Sequence, residues 1–114
     1  MGVLSPVGND LSTFWENLTH GKSGIGPITA FDTSEYSCTF GGEVRDFDVT
    51  NYLKTPKDGK RMDRYTQLSM AAAKLALDDS GLDVSSIDPY RIGVIAGSGI
   101  GGLGFSTGLS FSLG

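Results

Sequence analysis

The chain has 114 residues, of which 39% are hydrophobic and 19% charged, so it is at most one small globular domain and is not a disordered chain. Its formal net charge of −4 excludes general binding to nucleic acid. The 17 glycines add no core volume, and we therefore expect a chain of this size to need a partner surface.

A short helix is predicted near the N-terminus, after a turn. Asn9 or Asp10 can cap it, because a short side-chain oxygen satisfies free N–H groups of the first helical turn. The apolar residues that follow fall on one face at helical spacing: Leu11, Phe14, Trp15 and Leu18. Gly21 is placed to end this helix in a left-handed conformation.

The next segment, residues 24–44, contains many β-branched and aromatic residues interrupted by Gly and Pro. It predicts an irregular loop and a strand near 38–45. The single cysteine, Cys38, lies here, so no internal disulfide can form, as is typical of a reducing cytosol. The single histidine, His20, lies in another segment, and we therefore interpret Cys38 as a half-buried structural thiol.

Basic residues are concentrated between positions 54 and 64: Lys54, Lys57, Lys60, Arg61 and Arg64. Only Asp58 and Asp63 oppose them there, so five basic minus two acidic residues give this stretch a net charge of +3 in a chain of net charge −4. Such a patch indicates an acidic partner that docks at one place. The alternative is a solvated loop and helix start that needs no partner.

The strongest helix pattern covers residues 63–80 and is closed by Gly81. Asp63 lies in the first turn, where the helix dipole favours an acid. One apolar face is formed by Tyr65, Leu68, Ala72, Leu75 and Ala76, and is widened by Met70, Ala71, Ala73 and Leu77. We therefore expect this helix to be covered on more than one side, with its consecutive alanines allowing a neighbouring helix to approach closely.

After a connecting turn, the continuous apolar run of residues 91–97 predicts a buried strand. A helix, a strand and then a glycine turn are typical of an α/β fold. No apolar run approaches the about 18 residues of a membrane helix, and the N-terminus lacks a signal pattern. We therefore expect a cytoplasmic chain that does not enter a membrane.

The glycine loop, residues 99–104, matches G-x-G-x-x-G, as does the overlapping stretch 97–102. A dinucleotide site is one interpretation, because the loop follows a predicted strand. No helix pattern follows, however, and the acid expected about 20 residues later is absent. We favour close packing, in which glycines let the backbone run tightly beneath a pocket while Ile100 projects into it.

Three blocks in this order resemble the N-terminal part of the β-ketoacyl-acyl-carrier-protein synthase II family, the condensing enzymes of bacterial fatty acid synthesis: residues 5–48, 60–83 and 91–104. The resemblance covers residues 2–104. It implies part of a thiolase-like α/β fold, which in full has two pseudo-symmetric halves layered α-β-α-β-α and forms a homodimer. This chain would supply an incomplete first half, a partial N-terminal domain.

The uncharged segment 105–114 does not resemble the family and is interpreted as a divergent tail. The strand with which the family opens also has no counterpart before Gly2. We therefore expect a truncated chain, a changed reading frame or an expression product. Without the remaining elements, the helix at 63–80 would expose apolar surface, so we expect aggregation, partial order or self-association.

The resemblance implies a decarboxylative Claisen condensation of an acyl thioester with malonyl-acyl-carrier protein. It implies no bound cofactor and no metal, since the substrates are carried on the phosphopantetheine of acyl carrier protein. Ile100 matches the family residue that lines the acyl pocket near the dimer interface. Lys57, Lys60 and Arg61 match residues that dock the acidic carrier, with Lys54 and Arg64 beside them.

The resemblance also implies that this chain holds no catalytic residue. The family's nucleophilic Cys, two His and Lys correspond to positions beyond Gly114. Cys38 does not match the nucleophile, and His20 lies in the wrong helix. We therefore expect the chain alone to be inactive. The alternative function is a small non-catalytic module that binds acyl carrier protein or a condensing-enzyme partner.

Overall fold

The computed structural model describes residues 1–102, which form two helices and a small sheet. Their order along the chain is α1 (Leu11–Thr19), β1 (Ile25–Pro27), β2 (Phe40–Gly42) and α2 (Arg64–Ser80). Short 3₁₀ helices cover Val49–Tyr52, Pro56–Arg61, Val84–Ser86 and Pro89–Arg91. The radius of gyration is 17.0 Å, above the about 13 Å usual for a 100-residue domain, so the chain is spread out rather than packed around a large core.

Helix α1 is capped by Asp10. Its carboxylate accepts hydrogen bonds from the backbone N–H of Thr13 at 2.8 Å and from the Thr13 hydroxyl at 2.7 Å, and these bonds lower the pKa of Asp10. Gly21 follows the helix with a φ of 65°, which confirms the predicted left-handed end. Asn9 instead donates from Nδ2 to the carbonyl oxygen of Arg45 at 2.6 Å, which joins the N-terminal turn to the segment after β2.

Strands β1 and β2 pair antiparallel, with Ile25 opposite Gly42 and Pro27 opposite Phe40. The predicted strand at 38–45 is therefore present but shorter, and β1 lies in the stretch predicted as a loop. Cys38 precedes β2 and is exposed, so the prediction of a half-buried thiol is wrong.

The carboxylate of Glu43, directly after β2, ties the sheet to the loop after β1. It accepts hydrogen bonds from the backbone N–H groups of Thr29 and Ala30, each at 2.9 Å, and from the Thr29 hydroxyl at 2.9 Å. The Thr29 N–H is the largest cause of a lowered pKa at Glu43, followed by the Ala30 N–H. Because the folded-state pKa lies below the ordinary value of 4.5, this stabilisation is present above that value and is lost as pH falls through the folded-state pKa.

We expect the amides of Thr29 and Ala30 to lose protection from hydrogen exchange as the solution is acidified below about pH 4.5. Exchange measured by NMR and corrected for the intrinsic rate checks this. Glu43→Gln should remove the pH dependence, because its neutral amide does not titrate. Equal protection in the wild-type chain on both sides of that pH would contradict the role given to Glu43.

Helix α2 follows the prediction closely. It begins after Asp63 and ends at Gly81, whose φ is 63°. Asp63 occupies the N-cap rather than the first turn, and its side chain makes no capping hydrogen bond. Lys74 and Asp78 form an ion pair at 2.9 Å one turn apart on its exposed side.

The core beside α2 is small. Among the described residues, the buried hydrophobic side chains are Ala71, 0% exposed, and Val49, 8% exposed. Gly2 approaches α2 so closely that a Cβ there would collide with the backbone of Ala72 and Ala76. The small residues of α2 therefore admit the extended N-terminal segment, so within residues 1–102 an extended segment rather than a helix makes the close approach.

Two further predictions about burial are wrong for the described residues. The helix α2 is covered on one side only, since Tyr65, Met70 and Leu77 are each nearly half exposed. Residues 91–97 form no strand, and the side chains of Val94 and Ile95 are 90% and 101% exposed. A strand needs neighbours to hydrogen-bond and to cover it, and residues 1–102 supply none at this position.

Candidate functional site

The 3₁₀ helix Pro56–Arg61, here called the basic turn, presents three cations to solvent. Pro56 opens it, where a fixed φ suits the first helical position and a missing N–H costs nothing. Lys57, Lys60 and Arg61 are exposed. Within residues 1–102 none of these three side chains forms an ion pair, so their positive charge is available to a partner.

The basic turn is fixed to the start of α2. Gly59 is buried, and a Cβ there would lie 2.8 Å from Cγ1 of Val49 and 3.3 Å from Cδ1 of Leu53. Gln67 donates from Nε2 to the carbonyl oxygens of Gly59 at 2.9 Å and Met62 at 3.1 Å. The turn is thus held by tight packing on one side and by two hydrogen bonds on the other.

We expect Gln67→Leu to destabilise the chain by roughly 1–3 kcal/mol, because it removes the two hydrogen bonds that Gln67 donates. The carbonyl oxygen of Gly59 keeps only the bond that it accepts from the backbone N–H of Met62 at 3.3 Å. Denaturant unfolding measures the loss, and amide exchange should show it concentrated in the basic turn. Ser69→Leu is the matched control, since Ser69 is exposed on the same helix and makes no side-chain hydrogen bond among the described residues. Equal effects of the two changes would contradict the anchoring role.

The two cations predicted beside this group differ from one another. Lys54 is exposed ahead of the basic turn. Arg64 instead donates from Nη2 to the carbonyl oxygen of Val44 at 2.9 Å, and its guanidinium lies 4.7 Å from the ring centroid of Phe47. Arg64 therefore binds α2 to the segment after β2, and Lys54 is the neighbour that remains open to a partner.

The described part of the glycine loop packs against the start of α2. Gly101 and Gly102 have φ values of 38° and 70°, in the left-handed region. A Cβ on either glycine would lie 3.2 Å from ring carbons of Tyr65, and one on Gly102 would also lie 3.2 Å from Oδ2 of Asp63. This is the close approach that the packing interpretation of the loop requires.

Ile100 lines a cavity of about 470 Å³ at the same place. Its apolar walls are Tyr65, Leu68 and Ile100, and its rim includes Asp63 and Arg64. The Ile100 side chain is 78% exposed, so within residues 1–102 the cavity is an open groove rather than a closed pocket. One face of the first two turns of α2 therefore supports the glycine loop and carries the groove.

Neither Cys38 nor His20 lies at this groove. Cys38 is exposed before β2, and the His20 ring lies at the end of α1 with Nδ1 2.7 Å from the carbonyl oxygen of Glu16. In the described part of the chain, no group of three or more His, Cys, Asp or Glu side chains could hold a metal ion. No helix there is long and apolar enough to cross a membrane.

Part of the sequence-based interpretation falls on residues outside the described range. The dinucleotide interpretation depends on whether a helix follows Gly104, and the tail 105–114 lies wholly beyond residue 102. Three residues that shape the site were not assigned to it from the sequence: Gly59, Gln67 and Tyr65, the last of which was predicted only as part of the apolar face of α2. Gln67 carried one visible signal, since it is a polar residue beside the apolar face of α2.

The beta-ketoacyl synthase, N-terminal domain family matches residues 1–111. The 3-oxoacyl-[acyl-carrier-protein] synthase 2 of Vibrio harveyi is 48% identical over 103 residues, which are 90% of this chain and 25% of that protein. The protein of the same name from Synechocystis sp. is 46% identical over 103 residues, 90% of this chain and 24% of the relative. The chain thus spans about a quarter of the length of these curated relatives.

A solved structure also resembles the chain. The ishigamide ketosynthase/chain length factor matches with a TM-score of 0.67 and 36% sequence identity. The match covers 75% of this chain and 21% of that one. Together with the two helices and the two-stranded sheet, this neighbour confirms the expectation of a partial α/β fold of the ketosynthase type.

Proposed function

This chain belongs to the beta-ketoacyl synthase family, and from that membership we propose that it forms the N-terminal segment of a 3-oxoacyl-[acyl-carrier-protein] synthase. In such an enzyme, carbon dioxide leaves the malonyl group and the resulting carbanion attacks the carbonyl carbon of an acyl thioester. The acyl chain gains two carbons and its first carrier thiol is released. The groups that perform these steps lie outside the described residues, and this segment contributes recognition and shape.

The proposal rests on one observation: the basic turn and the groove both lie against the start of α2. The basic turn presents Lys57, Lys60 and Arg61 on one side, and Gln67 anchors it there. The groove with Ile100 lies against the same helix start. An acidic carrier protein that binds the cations would bring its phosphopantetheine arm to the region where the acyl groove begins.

The described residues suit different parts of the substrate. Exposed lysine and arginine side chains attract the acidic surface of a carrier protein and orient it before contact. Tyr65, Leu68 and Ile100 offer an apolar wall to an alkyl chain. The carrier protein brings the phosphopantetheine arm with it, so the segment needs no resident cofactor to bind the carrier or the alkyl chain.

We also propose that the complete enzyme has the layered α-β-α-β-α architecture and forms a homodimer.

A titration of the 114-residue chain with holo-acyl carrier protein tests the docking role. We expect saturable binding that weakens as salt is raised from about 0.05 M to about 0.3 M, because exposed charges are screened. Amide shifts should change first in the basic turn. An unstructured acidic peptide of the same net charge as the carrier is the control. No saturable binding at low salt, or equal binding of the peptide, would contradict the proposal.

A second candidate function is a non-catalytic module that binds acyl carrier protein or a condensing-enzyme subunit. The exposed segment 91–97 favours it, since Val94 and Ile95 present apolar surface that calls for a partner. Turnover distinguishes the two functions. A module binds the carrier without condensation in any larger assembly, whereas a synthase segment supports condensation once the rest of the enzyme is supplied.

A further inference from the structure

We propose that Tyr65 is a positioning residue that sets the shape of the acyl groove by supporting Gly101 and Gly102 of the glycine loop, and through them the position of the preceding residue, Ile100. The inference rests on the proposed function of the groove. In this proposal Tyr65 affects which acyl chains fit by acting on the loop and not on the thioester.

The loop backbone passes close to the Tyr65 ring, which leaves no room for a side chain on the two glycines. The ring carbons Cδ2 and Cε2 lie 3.2 Å from the position of a Cβ on Gly101, and Cε1 lies 3.2 Å from that position on Gly102. Both glycines have left-handed φ values, so the loop backbone turns on the ring surface. Ile100 directly precedes these two residues, and its side chain lines the cavity that Tyr65 also lines.

The Tyr65 ring is well placed to act as a support. Its backbone is in the first turn of α2, two residues after the N-cap Asp63 and two before Gln67, whose side chain is bound to the basic turn. The ring is 46% exposed, so about half of it is covered. An aromatic ring is rigid and has few rotamers, and it therefore fixes a neighbouring backbone better than a flexible side chain would.

Removing the ring should change the groove in a defined way. A smaller side chain at position 65 takes away one apolar wall and the surface on which Gly101 and Gly102 rest. Ile100 would then be free to move away from the groove, which would admit acyl chains that the intact wall excludes. We expect the preference for long over short acyl chains to rise by about tenfold, the lower end of the range of about 10- to 200-fold in which one methylene is discriminated in an apolar pocket.

The contact itself is tested in the 114-residue chain by NMR. The Hα resonances of Gly101 and Gly102 should be displaced by the ring current of Tyr65. Tyr65→Phe should keep the displacement and Tyr65→Leu should remove it. Met70→Ala is the matched control, because Met70 lies on the same helix with a nearly equal exposed fraction of 47% and does not line the groove. Glycine shifts unaltered by Tyr65→Leu would overturn the proposal.

The consequence for substrate choice is tested after this chain is joined to the remaining part of the Vibrio harveyi relative. We expect Tyr65→Leu to raise the ratio of kcat/KM for long acyl-carrier substrates to kcat/KM for short ones. Tyr65→Phe and Met70→Ala should leave this ratio unchanged. An equal loss at every chain length would show a merely structural role and overturn the proposal. If the joined enzyme does not condense at all, the proposed function fails, and the glycine shifts alone decide whether Tyr65 positions the loop.

Discussion

We expect that replacing Lys57, Lys60 and Arg61 together by glutamate will greatly weaken the proposed binding of acyl carrier protein to this chain. These side chains are exposed and form no ion pair within residues 1–102, so each is available to an acidic partner. An exposed ion pair contributes about 0.2–1 kcal/mol, and each reversal also adds repulsion. Three reversals should therefore weaken the Kd by about 100-fold or more, since about 1.4 kcal/mol is tenfold in affinity.

The matched control carries the same change in net charge elsewhere on the chain. Lys22, Lys74 and Arg91 are exposed cations outside the basic turn, and their joint replacement by glutamate tests the effect of overall charge. Because Lys74 pairs with Asp78 on α2, circular dichroism must first show that this control keeps its helix content. We expect this control variant to bind the carrier only slightly more weakly than the wild-type chain. At high salt this small difference should disappear, because the charges are screened. Equal weakening by both triple variants would show that net charge rather than the basic turn attracts the carrier.

Replacing Gly59 by valine is expected to destabilise the chain by about 1–3 kcal/mol, the usual cost of forcing extra atoms into a packed site. A Cβ at this position lies 2.8 Å from Cγ1 of Val49, closer than real Cβ contacts come. Val49 is itself one of the buried hydrophobic side chains of the small core, so it has little room to give. The basic turn must then move away from Val49, which strains its hydrogen bond to Gln67 on α2, and carrier binding should weaken along with stability.

Denaturant unfolding measures the stability loss, and the carrier titration measures its consequence. Gly93→Val is the control, because nothing lies within 4 Å of a Cβ there and the φ of Gly93 is not in the left-handed region. Gly59→Ala should show a smaller loss than Gly59→Val. Similar unfolding midpoints for Gly59→Val and Gly93→Val would contradict the packing described at the basic turn.

Both helices could be predicted from the sequence because their ends are determined locally. Asp10 supplies a cap within one turn of the residues it binds, and Gly21 and Gly81 provide left-handed conformations that other residues adopt at a cost. The cations of the basic turn were also visible as a charge pattern. The anchoring of this turn by Gly59 and Gln67 could not be predicted, because it depends on contacts between separate segments of the chain.

The burial of residues 91–97 could not be predicted in the same way. A continuous apolar run shows that a segment is suited to burial, but the neighbours that bury it belong to other parts of the fold. The exposure of Val94 and Ile95 shows that residues 1–102 do not provide them. Tyr65 shows a related limit: the helical spacing correctly placed it on an apolar face of α2, but it could not show that the ring lies beside Gly101 and Gly102 of the glycine loop.

The central claim is that this chain works as the N-terminal segment of a condensing enzyme. The most direct test replaces the matching 103 residues of the Vibrio harveyi relative with the corresponding residues of this chain and measures malonyl-dependent formation of 3-oxoacyl-carrier protein. We expect turnover by the exchanged enzyme and none by the 114-residue chain alone. A folded exchanged enzyme that binds the carrier but does not condense would contradict the claim, and so would turnover by the chain alone.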